Sequence, residues 1–312
     1  MENILLWGAM TTWLKPLWLV AVGVLIAVVG FMVLTMLLRL AAPKVAAIAR
    51  TTTKEALSQP LFYVILAIGI FALIIFPFVP YNTFGEDVKV IKDTGLTLII
   101  VLSLVLALWT ASVSIADEIE GRTALTLLSK PIGRRQFVFG KFLGVLGPVV
   151  ILFIVLGALF LGSISYKVVY DARETANPEP TWQMCRFEMV KIVPGLALAF
   201  METVVLAAIS VAISTRLPML PNLIICGSIY VLGHLVPMLV NSAVGQFEIV
   251  RFVGHFLATI LPVLDHFNIY AAVATGQEVP LVYLGWAFLY CVLYSSVAML
   301  IALLLFEDRD LA

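Results

Sequence analysis

The chain has 312 residues, 62% of them hydrophobic and 12% charged, with 19 basic side chains balanced by 19 acidic ones. A mean hydropathy of +1.09, concentrated in apolar runs of about 20 residues, excludes a water-soluble globular domain and predicts membrane-crossing helices. Zero net charge provides no basic field, so no nucleic-acid partner is expected.

The pattern predicts an all-α, polytopic helical bundle with seven spans, because hydrocarbon requires each crossing segment to satisfy its own backbone hydrogen bonds. Residues 1–42 form an N-terminal unit around the first span, Pro16–Leu38. No small-residue cleavage pattern follows that run, so it reads as an anchor rather than a removable signal. Residues 43–59 lie within "APKVAAIARTTTKEALSQP", which runs from Ala42 to Pro60. Helical spacing puts Val45, Ile48, Ala49, Thr52 and Ala56 on one face and turns Arg50 and Lys54 away from it. A basic amphipathic helix of this kind is expected to lie among lipid headgroups. Ser58 or Gln59 is expected to cap the next span, with Pro60 in its first turn.

The membrane domain proper is read as 60–312, with spans at Pro60–Val79, Gly95–Ala116, Phe142–Ile164, Ile192–Ser214, Pro221–Val240 and Pro280–Phe306. Polar loops join the second span to the third and the fourth to the fifth, and "STRLPMLPN" makes a tight hairpin whose prolines stop helix continuation. Residues 246–276 are apolar but are interrupted by Arg251, His255, Asp265 and His266 and split by Pro262. Two short helices fit that pattern better than an eighth span, which would reverse the C-terminus.

Eleven of the 19 Lys and Arg residues fall on one side if the N-terminus is outside. They are densest in two short segments, Arg39–Lys54 and Arg122–Lys141. The positive-inside rule then gives an external N-terminus and a cytoplasmic C-terminus in the cell's inner membrane.

The stretch "ADEIEGRTALTLLSKPIGRRQF", Ala116–Phe137, lies within the inner loop 117–141. Glu118 and Arg122 have the favourable i,i+4 order. Gly121 permits a sharp turn out of the third span. Leu125, Leu127 and Leu128 would cluster on a short helix ended by Pro131, and Arg134 and Arg135 would sit at headgroup level. Such a leucine face outside the bilayer needs a cover; lipid headgroups could provide it, but a docked protein accounts better for the flanking charges.

Catalytic patterns are missing. The Gly140-Lys141 pair lacks the earlier glycine and the hydroxyl residue of a phosphate loop. Cys185, Cys226 and Cys291 lack paired spacing, so neither a disulfide nor a zinc site is indicated. Glu202 and His234 are ionisable residues inside spans, which makes them candidates for a translocation path.

The inner-loop run resembles the E-x-E-x-G-T-x-x-x-L-L-x-x-P-x-x-R pattern of ABC-2-type transporter permeases, matched by Glu118, Glu120, Gly121, Leu127, Leu128, Pro131 and Arg134. Arg122 intervenes before Thr123, which shifts the match there by one. "ARTTTKEALSQPLFYVIL", the region before the last span and the closing "LLLFEDRDL" extend the likeness over about Ala49–Leu311. Its overall look is similar to permeases linked to multicopper-enzyme maturation. The resemblance implies a six-span core, here with one additional N-terminal span, and a non-enzymatic subunit of an exporter. It implies partners too: an ABC ATPase subunit carrying ATP and Mg, docked on Glu118–Arg135, and a second permease, identical or related. Surrounding membrane lipid is the remaining partner, and no cofactor or metal is expected in this chain. A secondary transporter would instead show inverted halves and more mid-membrane polar residues, and a lipid-acting membrane enzyme would need a polar set on its inner face.

Labelling of single introduced cysteines with an impermeant reagent in intact cells is expected to mark the segment around Lys89 and to spare that around Arg134. The reverse pattern overturns the orientation.

Overall fold

A computed structural model describes residues 12–81, 86–120, 133–174, 178, 180–241, 247–269, 272–273 and 277–307. Helices dominate, and no strand occurs among the described residues. In chain order they are α1 Leu17–Ala41, α2 Pro43–Ser58, α3 Pro60–Ile75, α4 Asp87–Glu120 and α5 Arg134–Glu174. After these come α6 Trp182–Val190, α7 Val193–Ser214, α8 Met219–Asn241, α9 Glu248–Ile260 and α10 Leu281–Glu307. Among the described residues, seven helical segments are long and apolar enough to cross a membrane, as the hydropathy pattern predicts. The stretch 246–276 contributes the short α9 and a single 3-10 turn, Leu264–Phe267, rather than a span.

The joints follow from local chemistry. Gln59 takes φ −74° and ψ 138°, the extended backbone that a following proline imposes, and this separates α2 from α3. No side chain caps α3. The Ser58 hydroxyl donates back to the Glu55 carbonyl, and the Gln59 amide oxygen accepts from the Trp109 indole at 3.2 Å. At the same face, α7 and α8 are separated by only four residues.

The core lies where α4, α5 and α7 meet. On α5, Val145, Val149, Leu152, Leu156, Phe160 and Ile164 are fully buried, spaced three or four apart so that they form one stripe. Leu96, Ile99, Ile100, Ala107 and Ala111 of α4 and Leu198, Ala199 and Val205 of α7 complete the interior. By contrast, α1 buries no residue at all.

Two helices run further than their apolar stretches suggest. α4 begins at Asp87, and α5 has 41 residues, about 60 Å at the usual rise and twice the thickness of a hydrocarbon core. Their charged ends are paired within the chain. Lys92 bonds to Glu188, Lys167 lies 3.1 Å from Asp87, and both lysines are almost wholly buried.

The expected headgroup-facing side of α2 has another cover. Ala46, Ala49, Thr52 and Ala56 are buried against α5, where Gly140, Gly144 and Gly147 let the backbones approach. A Cβ on Gly140 would come within 2.7 Å of Ile48, and one on Gly144 within 2.5 Å of Thr52 and 3.0 Å of the Ala49 carbonyl. The Thr53 hydroxyl also donates to the Gly144 carbonyl at 3.0 Å. Close contact through small residues is the usual source of helix association where no hydrophobic driving force operates. Arg50 and Lys54 remain exposed on the far side.

Gly144→Leu is expected to separate α2 from α5 and to destabilise the protein by about 1–3 kcal/mol, the usual cost of overpacking. Gly285→Leu, where a new Cβ meets nothing within 4 Å, should leave the thermal midpoint of detergent-purified protein unchanged.

Candidate functional site

One group of buried polar side chains inside the bundle lies along a seam of α4, α7 and α8. α8 places Asn222, Cys226, Tyr230 and His234 four residues apart, hence on a single face. At the seam's end nearest the α7–α8 hairpin, the Asn222 amide nitrogen lies 2.7 Å from Ser112 Oγ, 2.8 Å from Ser210 Oγ and 3.0 Å from Ser214 Oγ. An amide carries two hydrogens, so three hydroxyls share them and α4, α7 and α8 are tied at one point. The Cys226 thiol donates to Asn222 Oδ1 at 3.3 Å, and all five residues are buried.

Further along the seam, Ser103 of α4 and Thr203 of α7 bring their hydroxyls to 3.3 Å. Beside them Glu202 is fully buried, and its Oε1 lies 3.4 Å from His234 Nε2. That separation is longer than a well-formed N–H···O hydrogen bond, so the contact is a close electrostatic approach. His234 Nδ1 donates to the Tyr230 carbonyl at 3.0 Å, because a carbonyl only accepts, and the two rings lie 4.8 Å apart. The structure therefore brings together, within one chain, the two intramembrane residues singled out in the sequence. The hydroxyl and amide cluster was legible only as a four-residue spacing on α8, among residue types that are common in spans.

A second group lies where α5 begins. Arg134 Nη1 donates to the Glu307 carbonyl at 2.7 Å, at the negative end of the α10 dipole. One turn on, Phe137 stacks on Phe306 with centroids 5.5 Å apart and planes 18° apart. Both rings are buried. Arg134, expected at headgroup level, is thus engaged by its own chain, whereas Arg135 is exposed. Glu118 and Glu120 belong to the last turns of α4. Gly121, Arg122, Leu125, Leu127, Leu128 and Pro131 lie outside the described residues.

At the opposite end of α5, Asp87, Asp171 and Glu174 bring carboxylate oxygens within 4.8 Å of one another, a spacing that could hold a metal ion. The Lys167 ammonium already lies among them, 3.1 Å from Asp87 and 3.9 Å from Glu174. It supplies one positive charge shared by two of the carboxylates, so the cluster reads as an ion-pair network joining α4 to α5.

The model of the ABC-2 family transporter protein matches residues 77–311, three quarters of the chain. This chain belongs to the ABC-2 family of transporter proteins. No curated protein matches it. The ABC-2 match begins in the 3-10 turn Phe76–Phe78, so α1, α2 and α3 precede it, and the polar seam, the Arg134 contact and the inner-loop sequence 117–141 all fall inside it. Membership makes the chain a permease component of an ABC transporter and a multi-pass membrane protein. Those permeases are transmembrane transport subunits rather than the catalytic ones.

His234→Leu should remove the imidazole that lies 3.4 Å from the buried Glu202 carboxyl and destabilise the protein by about 1–3 kcal/mol. Adding Glu202→Leu should recover part of that loss, since replacing a buried polar pair entirely costs less than breaking it. Thermal midpoints of the two single variants and the double variant check the coupling.

Proposed function

We propose that this chain is the membrane-spanning subunit of an ATP-driven exporter, with ATP and Mg held by a separate ABC ATPase that docks on the loop 117–141. Family membership over residues 77–311 carries this reading. The position of the loop supports it, since the loop joins α4 to α5, the two longest helices and both part of the core. Force applied there reaches the helices that make up most of the interior. Closure of the ATPase subunits would tilt α4 and α5 against α7, α8 and α10, a rigid-body switch between two packed arrangements.

On this reading the N-terminus lies outside the inner membrane and the loop face lies in the cytoplasm. A second permease, identical or related, completes the pathway. Glu202, with His234 beside it, is the polar point past which cargo moves, and α9 with its 3-10 turn covers the outer end. Kinship with the multicopper-enzyme-maturation permeases belongs to the same proposal.

Leu125 and Leu128 would form the packed centre of the docking contact, with charged residues as its rim. Truncating a well-buried leucine costs about 2–5 kcal/mol in a protein interior, enough to dissociate a modest contact. Leu125→Ala with Leu128→Ala is therefore expected to lose co-purification of the ATPase subunit while the permease keeps its thermal midpoint. Full partner retention in that variant would sink the docking role of the loop.

A further inference from the structure

The N-terminal helix α1 crosses the apolar zone without burying a residue, and it is held near its two ends. At one end it continues through Ala42 directly into α2. At the other, the Ser165 hydroxyl of α5 donates to the Trp13 carbonyl at 2.9 Å, and Trp13 packs edge-on against Tyr166 at 5.5 Å. Between these attachments a groove runs from Leu19 to Leu34, about 23 Å at helical rise, walled by α1 on one side and by α5, α6 and α7 on the other. Gly23 and Gly30 face it, and a Cβ on either would meet nothing within 4 Å. Small residues that usually draw helices together here leave them apart.

The size of the groove limits what fills it. Its volume is about 610 Å³ and its lining almost wholly apolar, so water has no partners there. A helix of a second protein, a cylinder about 10 Å wide and 23 Å long that takes about 1,800 Å³, would not be enclosed by it. A methylene occupies roughly the volume of a water molecule in the liquid, about 30 Å³, so the groove holds about 20 carbons in single file.

Charge marks one mouth of the groove. Cys185 of α6 lies beside Ser165, so the Trp13 end of α1 and helix α6 flank the same point of α5. Three cations lie close in sequence to residues that line this end of the groove. Lys15 lies one turn before Leu19, Arg186 one turn before Val190, and Lys191 directly after Val190. Arg186 lies over the Trp182 ring at 5.6 Å and Lys191 over Phe187 at 3.8 Å. Among the described residues none of the three is in an ion pair. The nearby carboxylates Asp87, Glu174 and Glu188 are taken by Lys167 and Lys92. Exposed Trp18 and Trp182 complete a ring of aromatics of the kind found at headgroup depth.

We propose that this groove is a binding site for one anionic phospholipid, with an acyl chain lying along α1 and the phosphate against Lys15, Arg186 and Lys191. The lipid fills the space that α1 leaves and seats the helix on the core. The site requires neither a particular cargo nor coupling to ATP.

The test is native mass spectrometry of the full chain, purified in mild detergent with equal amounts of dioleoyl phosphatidylglycerol and dioleoyl phosphatidylcholine. The wild type should retain one phosphatidylglycerol per chain, in preference to phosphatidylcholine. Lys15→Gln with Arg186→Gln and Lys191→Gln should reduce that preference by about tenfold or more, the effect of losing ionic contacts at a membrane surface. Gly23→Leu with Gly30→Leu fills the groove and should abolish retention with the thermal midpoint unchanged. Retention that survives the filled groove, or that ignores headgroup charge in the wild type, overturns the site. A chain–chain complex lost on filling the groove, with no retained lipid in the wild type, would make it a protein contact and also overturns the proposal.

Discussion

The backbone-to-backbone approach of α2 and α5 determines how the remaining helices are arranged. Gly140, Gly144 and Gly147 admit Ile48, Thr52 and Thr53 at distances that leave no room for a Cβ. This fixes the start of α5 against the N-terminal half of the chain. From there α5 continues through the bundle, contributing a stripe from Val145 to Ile164 to the interior and meeting α4, α7 and α10 in turn. In a bilayer such precision has to come from shape and hydrogen bonds, because lipid tails compete on equal terms for every leucine. The Thr53–Gly144 bond adds a directional term to a contact otherwise made by van der Waals packing.

Polar groups pin the far sides of the same bundle. Asn222 joins three helices through three serines, and each of those hydroxyls would be costly to bury alone. At the other end, Lys92 and Lys167 are buried only because Glu188 and Asp87 meet them. Such pairs contribute little net stability against apolar replacements. What they supply is register, since an ammonium displaced by one helical turn would face hydrocarbon without a partner.

Much of this was legible in the sequence, though unevenly. The seven spans and the two-piece nature of 246–276 followed from apolar length and from charge interruptions. The ends of α4 and α5 did not, because hydropathy stops at the first buried lysine, and nothing near Lys92 in sequence announces Glu188 almost a hundred residues away. The face of α2 was read correctly as a periodic apolar strip in Ala49, Thr52 and Ala56. Its cover was missed, since three glycines on a distant span look like ordinary transmembrane composition. Glu202 and His234 were identifiable as single ionisable residues, while their contact was a matter of tertiary structure. For the inner loop, Arg134 was noticed for its charge, and its bond to the Glu307 carbonyl depends on where the last helix ends.

The position of the glycine contact along α5 has a mechanical consequence. Gly144 is ten residues from Arg134 and thirty from Glu174, arms of about 15 Å and 45 Å. If the helix stays straight through Pro148 and pivots where α2 grips it, the two arms form a lever with a ratio of three. A displacement of about 1 Å at the Arg134 end then becomes about 3 Å at the far end. At Lys167, about 35 Å along that arm, the displacement would be about 2 Å, drawing its ammonium away from Asp87, now 3.1 Å distant. On that geometry a small stroke at the Arg134 end would open an ion pair toward the opposite end of the helix.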